Sequence, residues 1–455
     1  MYFNRLIDNV LLQWKNSSEH KPLLLRGARQ VGKSSAVKHF GESFRYYIEI
    51  NFEKQPTYKQ LFTTDLDVHR ITSQIAAISG MPVVEGQTLI FLDEIQECTE
   101  AIMSLRFFKE DMSDLHIVAA GSLLEFALQE IPTFGVGRIH SVYMHPMTFD
   151  EFLTANGLTT LLEQRRVATP ETPLSDILHN KLVEYFRVYL LVGGMPEAVT
   201  RWVKTHDFLQ CQTIQDDILV TYEDDFAKYT KRINPNLLRL TLRSVAIQVG
   251  SKFIYSRVST DYKASFIRQA IELLVLAGIV IPVTRTSANG VPLGSEADFS
   301  YQKMLLLDTG LMLRLQHISL GNDTETSAQI MTSTAEDLVN KGAIAEMFAG
   351  LELLRYRATN IRHELFYWVR EEKNSTAEVD YVDIYKEHVL PIEVKASGKG
   401  GMKSLWLMMQ EKHLEHAIRT SLENFGQLEY IDKQDNGAVR HVDIYPLYAL
   451  SQIGL

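Results

Sequence analysis

Along the first 150 residues, short apolar runs rich in β-formers alternate with stretches of helical spacing, the pattern of a parallel sheet covered by helices. Pro22-Leu23-Leu24-Leu25 is the first run and ends in a glycine loop. Residues 45–52 (RYYIEINF), 88–93 (TLIFLD) and 115–120 (LHIVAA) read as the second to fourth strands, and 141–144 as a fifth. A run such as LIFL is apolar at successive positions, so both faces of that strand are expected under helices. From about residue 150 to 230 the spacing turns helical, interrupted at Val192-Gly193-Gly194-Met195-Pro196. Several short helical segments follow between 235 and 320, then the apolar run 279–284, an order that suggests a small winged-helix unit. The polar stretch 319–333 (SLGNDTETSAQIMTS) reads as a linker. Beyond it, a helix containing Glu346 precedes the strands FYWV, EVDYVDIY and LPIEVK. No repeat of solenoid period occurs. The pattern predicts an α/β protein with segments at 1–150, 151–232, 233–320 and 333–455.

Composition narrows the class. The chain has 455 residues, 45% hydrophobic and 22% charged, which excludes wholesale disorder. A net charge of −10 means that any nucleic-acid surface must be local. The two cysteines, Cys98 and Cys211, are far apart, which excludes a disulfide scaffold and a cysteine-built zinc site and fits a reducing cytosol. Asp8 interrupts what would be the apolar stretch of a signal peptide. The longest apolar run, 270–283, contains Glu272 and falls short of the about 20 residues of a membrane span. A soluble, cytoplasmic protein with no membrane partner is expected.

The strongest chemical signal is Gly27-Ala28-Arg29-Gln30-Val31-Gly32-Lys33-Ser34, a complete GxxxxGK[ST] phosphate loop between a strand and a helix, with Ser35 carrying it into the helix. Its backbone N–H groups and the helix N-terminus suit a polyphosphate, Lys33 the β- and γ-phosphates, and the Ser34 hydroxyl Mg²⁺. The expected cofactors are therefore ATP and Mg²⁺. One strand–helix unit later, an apolar strand ends in Asp93-Glu94. Asp93 is placed to hold Mg²⁺ through water, and Glu94 to polarise the attacking water. Ser122, after the fourth strand, is placed to sense the γ-phosphate or to cap a helix. Arg138, between the fourth and fifth strands, is either an arginine for the transferring phosphate, in cis or from a neighbouring subunit, or a surface arginine.

A second constellation lies near the other end. Glu393 and Lys395 are two apart in a strand and share a face, and a hairpin would bring Asp380 beside them. Two carboxylates and a lysine suit a divalent metal, Mg²⁺ or Mn²⁺, and the phosphodiester chemistry it supports, with Glu346 as a fourth member. Charged edge-strand residues would give the same spacing. Between the two constellations, residues 225–269 hold nine Lys/Arg (Lys228, Lys231, Arg232, Arg239, Arg243, Lys252, Arg257, Lys263, Arg268) against Asp225 and Asp261. Aromatics are interleaved, and 265–276 suits a recognition helix, so the surface fits DNA or a protein partner. The fourteen histidines show no metal-binding spacing.

These residues, in LLLRGARQVGKSS, IFLDEIQEC, AAGSLLEF, GVGRIHSVYMHPMTFDEF and VGGMPEAV, and then in FYWVREEKNSTAEVDYVDIY and LPIEVKAS, resemble a prokaryotic family of AAA-type P-loop ATPases. In that family the ATPase is fused to a C-terminal domain related to PD-(D/E)xK nucleases. Ala28 stands where many relatives have proline and Ser34 where many have threonine. The resemblance implies an AAA-type module, a helical lid, a winged helix and a nuclease-like domain, and adds Gln96 and Arg138 to the candidate ATPase residues. It does not imply that cleavage is retained. The expected function is ATP-dependent action on DNA with metal-dependent cleavage as its output. Its rivals are an ATP-driven switch or scaffold whose C-terminal fold only binds, and a signalling ATPase of defence or toxin–antitoxin type. DNA and further copies of the chain are the expected partners.

Overall fold

A computed structural model describes residues 1–122, 124–130, 137–229, 233–316, 341–357, 359–372, 375–396, 401–432, 435 and 437–454. The expected linker at 319–333, Lys231 and Arg232 lie outside the described residues. The chain forms two compact units, one of Met1–Pro146 with Leu276–Gly278 and Ala358–Arg362, the other of Met147–Val275, Ile279–Arg357 and His363–Leu455.

The first unit is built on five parallel strands: β1 (Leu23–Arg26), β2 (Tyr46–Asn51), β3 (Thr88–Asp93), β4 (His116–Ala120) and β5 (His140–Tyr143). They lie in the order β2-β3-β4-β1-β5 and match the five apolar runs of the sequence within two residues. β3 and β4 are buried at every position, as strands covered on both faces must be. The helix Val68–Ser79 is capped by the Asp67 carboxylate and stopped by the left-handed Gly80. It packs Ile71 and Ile75, and the helix Thr99–Asp111 packs Ile102, Leu105 and Phe108, onto Ile48, Ile50, Ile90, Leu92 and Ile117. All five strands run the same way, so the segments following β1, β3 and β4 emerge at one edge of the sheet.

The second unit begins with helices and ends in a sheet. The helix Phe149–Ala155 opens with a capping box between Thr148 and Glu151. The helix Asp176–Val192 ends at the glycine pair of the VGGMP interruption, where Gly193 has a positive φ of 72°. The buried Asp308 carboxylate accepts hydrogen bonds from Gly194 N (2.6 Å) and Leu311 N (3.0 Å), and a Cβ at Gly193 would strike it. The interruption is thus an anchored turn.

The helices Pro235–Gln248 and Ala264–Leu276 lead to β6 (Val280–Thr286) and β7 (Ala297–Leu306). After Lys341–Arg355 come β8 (Leu365–Glu372), β9 (Ser375–Tyr385), β10 (His388–Val394), β11 (His416–Ser421), β12 (Gly426–Asp432) and β13 (Ala438–Pro446). These eight strands form one sheet in the order β12-β13-β11-β10-β9-β8-β6-β7. The sequence pattern assigns β6 and β8 to different segments, yet β6 pairs in parallel with β8 through Val283–Leu365 and Thr284–Phe366. No helix among the described residues is long and apolar enough to cross a membrane.

Candidate active site

β1 feeds the phosphate loop, and the loop feeds the helix Lys33–Gly41 through a left-handed Gly32 with φ 98°. Gly27 has φ 139°, and any side chain there would collide with the Met144 carbonyl oxygen. Gln30 also holds a positive φ of 65°, a backbone strain of about 1–3 kcal/mol. Ala28 and Val31 are buried and pin the loop down, Arg29 is half-buried, and Gln30, Ser34 and Ser35 are exposed. The buried Lys33 ammonium donates to the carbonyls of Gly27 (2.9 Å) and Ala28 (2.7 Å). Burial pulls its pKa down to about 8, against the pull of Glu94 and Asp93.

β3 delivers the two acids. Asp93 is buried, and desolvation reinforced by Glu94 raises its pKa. Its carboxylate accepts from Ser34 Oγ (3.2 and 3.1 Å) and from Asn51 Nδ2 (3.1 Å). Asn51 ends β2 directly beside Asp93. The Asn51 Oδ1 accepts from Glu53 N and Lys54 N, which aims its amide nitrogen at Asp93. Sequence reasoning missed Asn51. Its signal was a polar residue ending an apolar strand, meaningful only once β2 and β3 are known to be neighbours. Glu94 has φ 49° and ψ 45°, a left-handed conformation that a glutamate adopts only when its surroundings impose it. Its Oε2 accepts from Gln96 Nε2 (2.7 Å), Ser122 Oγ (3.2 Å) and Ser122 N (3.3 Å). The structure thus joins Ser34 to Asp93 and Ser122 and Gln96 to Glu94. The hydroxyl of Ser34 and the carboxylate of Asp93 are the hard oxygen donors that Mg²⁺ takes, and a cradle lined by backbone amides and Lys33 suits a triphosphate. Arg138 stands apart. Its half-exposed side chain pairs with Glu110, and among the described residues no contact ties it to Lys33, Asp93 or Glu94.

In the second unit, the hairpin of β9 and β10 sets Asp380 and Glu393 on neighbouring strands. Asp380 is inside β9 rather than at its start, and its Oδ2 accepts from Val394 N (2.8 Å). Glu393, next to the end of β10, is buried and pairs with Lys395. Glu346 approaches from the helix Lys341–Arg355, whose backbone is tied to β9 by Tyr381 Oη donating to Glu346 O (2.7 Å). A residue that sequence reasoning missed stands among them. Lys303 on β7 is completely buried, with its ammonium 2.7 Å from Glu346, paired with Glu378 and 3.9 Å from Asp380. Its sequence signal was a lone lysine opening the apolar run Met304-Leu305-Leu306. Desolvation raises the pKa of Glu346 to about 7 and that of Glu393 to about 7, and pushes Asp380 upward too. Among the described residues no three His, Cys, Asp or Glu side chains converge to hold a metal. The centre in this form does not fit a second divalent ion, because an ammonium occupies its middle.

Of the basic stretch, Arg243, Arg257, Lys263 and Arg268 are exposed, Lys252 lies over the Tyr301 ring (3.2 Å) and Arg239 pairs with Glu223. The helix Ala264–Leu276 buries Ile267, Ala270, Ile271 and Leu274 and leaves Phe266 half-exposed beside Arg268.

Residues 19–153 match a family described as an AAA domain. That match spans the phosphate loop and all five strands of the first unit. Two families described as domains of unknown function match later parts of the chain: DUF8612 over 183–325 and DUF4143 over 341–430. No curated protein matches the sequence. Solved structures similar to the chain include the Walker-type ATPase PABY2304 of Pyrococcus abyssi, 15% identical over 69% of this chain and 96% of that one, with a TM-score of 0.44. Others are the Aeropyrum pernix Orc1 protein in complex with DNA (14%, 72% and 90%, 0.24) and a single-residue variant of Thermotoga maritima RuvB (17%, 60% and 86%, 0.28).

Proposed function

We propose that the protein is an Mg²⁺-dependent ATPase that acts on DNA in the cytoplasm. The observation that carries the ATPase reading is Ser34, Asp93 and Asn51 held in one hydrogen-bonded chain beside Lys33, with Glu94 fixed next to them by Ser122 and Gln96. When bound, Mg²⁺ neutralises charge developing on the phosphates. Ser34 and Asp93 would hold it, Lys33 and the loop amides at 27–35 would hold the phosphates, and Glu94 would take the proton of the attacking water. The deciding experiment is steady-state hydrolysis. Glu94→Gln should still bind ATP but turn over about 10²–10⁴-fold more slowly, and Lys33→Ala should lose binding or turnover. Unchanged turnover in Glu94→Gln would remove Glu94 as the base.

Within this reading, 151–232 serves as a helical lid, 233–320 as a winged helix and 333–455 as a PD-(D/E)xK-like domain. The winged-helix reading is supported by two helices followed by the β6–β7 hairpin, and by a bridge from Lys252 to Lys303 that adds a third strand position. Arg257, Lys263 and Arg268 would meet DNA phosphates, so their replacement by glutamate should weaken DNA binding and flatten its salt dependence. If the domain cleaves, Asp380, Glu393, Lys395 and Glu346 would be the residues of its centre, which in the form described does not fit a divalent ion. Lys303 among their carboxylates favours the second reading, an ATP-driven switch whose nuclease-like domain binds without cutting. Incubation with plasmid and linear DNA, with and without ATP and Mg²⁺ or Mn²⁺, separates the two. Cleavage abolished by Asp380→Ala supports the first, and intact DNA under every condition supports the second.

A further inference from the structure

The edge strand β7 is not regular along its length. Thr284 on β6 pairs with Gln302, but the next residue, Arg285, pairs with Asp298. Phe299, Ser300 and Tyr301 therefore bulge out of the ladder. The Asp298 carboxylate accepts from Ser300 N (3.0 Å), which fixes the bulge from within. A bulge on an edge strand re-aims its side chains, and this one leaves the Phe299 ring 63% exposed. A large apolar ring is thus held in water by a backbone device.

The surroundings of the bulge are cationic. Lys252 Nζ lies 3.2 Å and Arg285 Cζ 4.9 Å from the centroid of the Tyr301 ring. The segment carrying Lys252 is tied to β7 by Phe253 N, which donates to Gln302 O (2.8 Å). Phe253 meets Tyr255 edge-on at 5.5 Å, and Arg268 of the helix Ala264–Leu276 lies 5.8 Å from the Tyr255 ring. These contacts form one stripe of rings and cations that starts at Phe299 and ends beside the half-exposed Phe266. Between 252 and 285, Lys252, Arg257, Lys263, Arg268 and Arg285 stand against Asp261 and Glu272, in a chain whose net charge is −10. Local cations suit phosphates, and exposed rings suit the faces of bases. A duplex hides those faces in its own stack, whereas an unpaired strand presents phosphates and base faces together. We propose that the β7 bulge and this stripe bind single-stranded DNA, with an unpaired base stacked on Phe299 and the phosphates running past Arg285, Lys252 and Arg268. The inference rests on the DNA reading of this segment and deepens it by naming the unpaired strand as the form recognised.

The test measures fluorescence anisotropy of full-length protein with three labelled probes: oligothymidylate, an abasic sugar–phosphate strand of the same length, and a blunt duplex. Wild type should bind oligothymidylate about tenfold or more tightly than the abasic strand, the size of one stacked base. Phe299→Ala should remove that preference and Phe299→Trp should keep it, while both bind the duplex as wild type does. Arg285→Gln should weaken both single strands alike and reduce the salt dependence of each. The Phe299 ring is mostly exposed, so the melting temperature of Phe299→Ala should match that of wild type. Three results overturn the proposal: no preference for oligothymidylate over the abasic strand, a preference that survives in Phe299→Ala, or one that Phe299→Trp also loses. With the duplex still bound, any of them leaves the DNA reading standing and assigns the bulge to a protein partner. If no probe binds, the DNA reading and this inference fall together.

Discussion

Asn51 decides how Asp93 presents itself. A carboxylate buried at the end of β3 needs a fixed donor, and the Asn51 amide, aimed by two backbone N–H groups, holds Oδ2 and leaves Oδ1 with Ser34 as its neighbour. Asn51→Ala should raise the Mg²⁺ needed for half-maximal hydrolysis about 10–100-fold. ATP binding without metal should survive, because Lys33 and the loop are untouched; an unaltered Mg²⁺ titration would remove Asn51 from the site. His116 raises a different question. Its ring stacks on His20 at 4.0 Å, its Nε2 lies 3.1 Å from the Lys15 carbonyl oxygen, and burial followed by the His20 charge lowers its pKa to about 4. An unfolded histidine holds its proton up to pH about 6.5. Between about 6.5 and 4 the unfolded chain thus binds more protons, so this contribution is intact above that window and is lost as pH falls through it. Allowing for solvent screening, the loss is about 1–2 kcal/mol. His116→Gln should show a smaller drop in melting temperature between pH 7 and 4 than wild type, and equal drops would acquit the histidine.

Among the elements, the glycine turn after Asp176–Val192 depends on one carboxylate. Asp308 satisfies two buried backbone donors, Gly194 N and Leu311 N. Asp308→Ala should cost about 2–6 kcal/mol, at about 1–3 kcal/mol for each of the two donors left unpaired. Asp308→Asn, which keeps one acceptor, should lose less. Urea denaturation followed in the second unit reads this directly, and equal midpoints for all three proteins would place the anchor elsewhere. The same elements show what a sequence can carry. The phosphate loop and Asp93-Glu94 were legible because their residues are consecutive, and the first five strands because central parallel strands are apolar throughout. The edge strand β7 was not, since its first half is polar and half-exposed and only its second half reads as apolar. Lys303 was invisible as a partner of Glu346 because 43 residues separate the two, and three strand pairings lie between β7 and the carboxylates on β9. Asp380 and Glu393 were recognisable as a pair, but not the ammonium between the carboxylates.

For the molecule as a whole, the open question is whether one copy suffices. Arg138 lies between β4 and β5 and pairs with a surface glutamate, away from its own loop. If it serves a neighbouring subunit, mixing Arg138→Ala with Lys33→Ala protein should restore part of the hydrolysis that each lacks. A monomer fully active at saturating ATP would rule that arrangement out. The eight-stranded sheet has its own consequence. Because β6 pairs with β8, strands before residue 316 and after 341 are stitched by backbone hydrogen bonds whether or not the peptide between them is intact. A nick between Gln316 and Lys341 should therefore liberate nothing: the two fragments should co-purify, and two separately expressed pieces divided there should find each other. The protein is in effect already divisible, with the complementary halves held by the grain of a shared sheet rather than by the thread that runs between them.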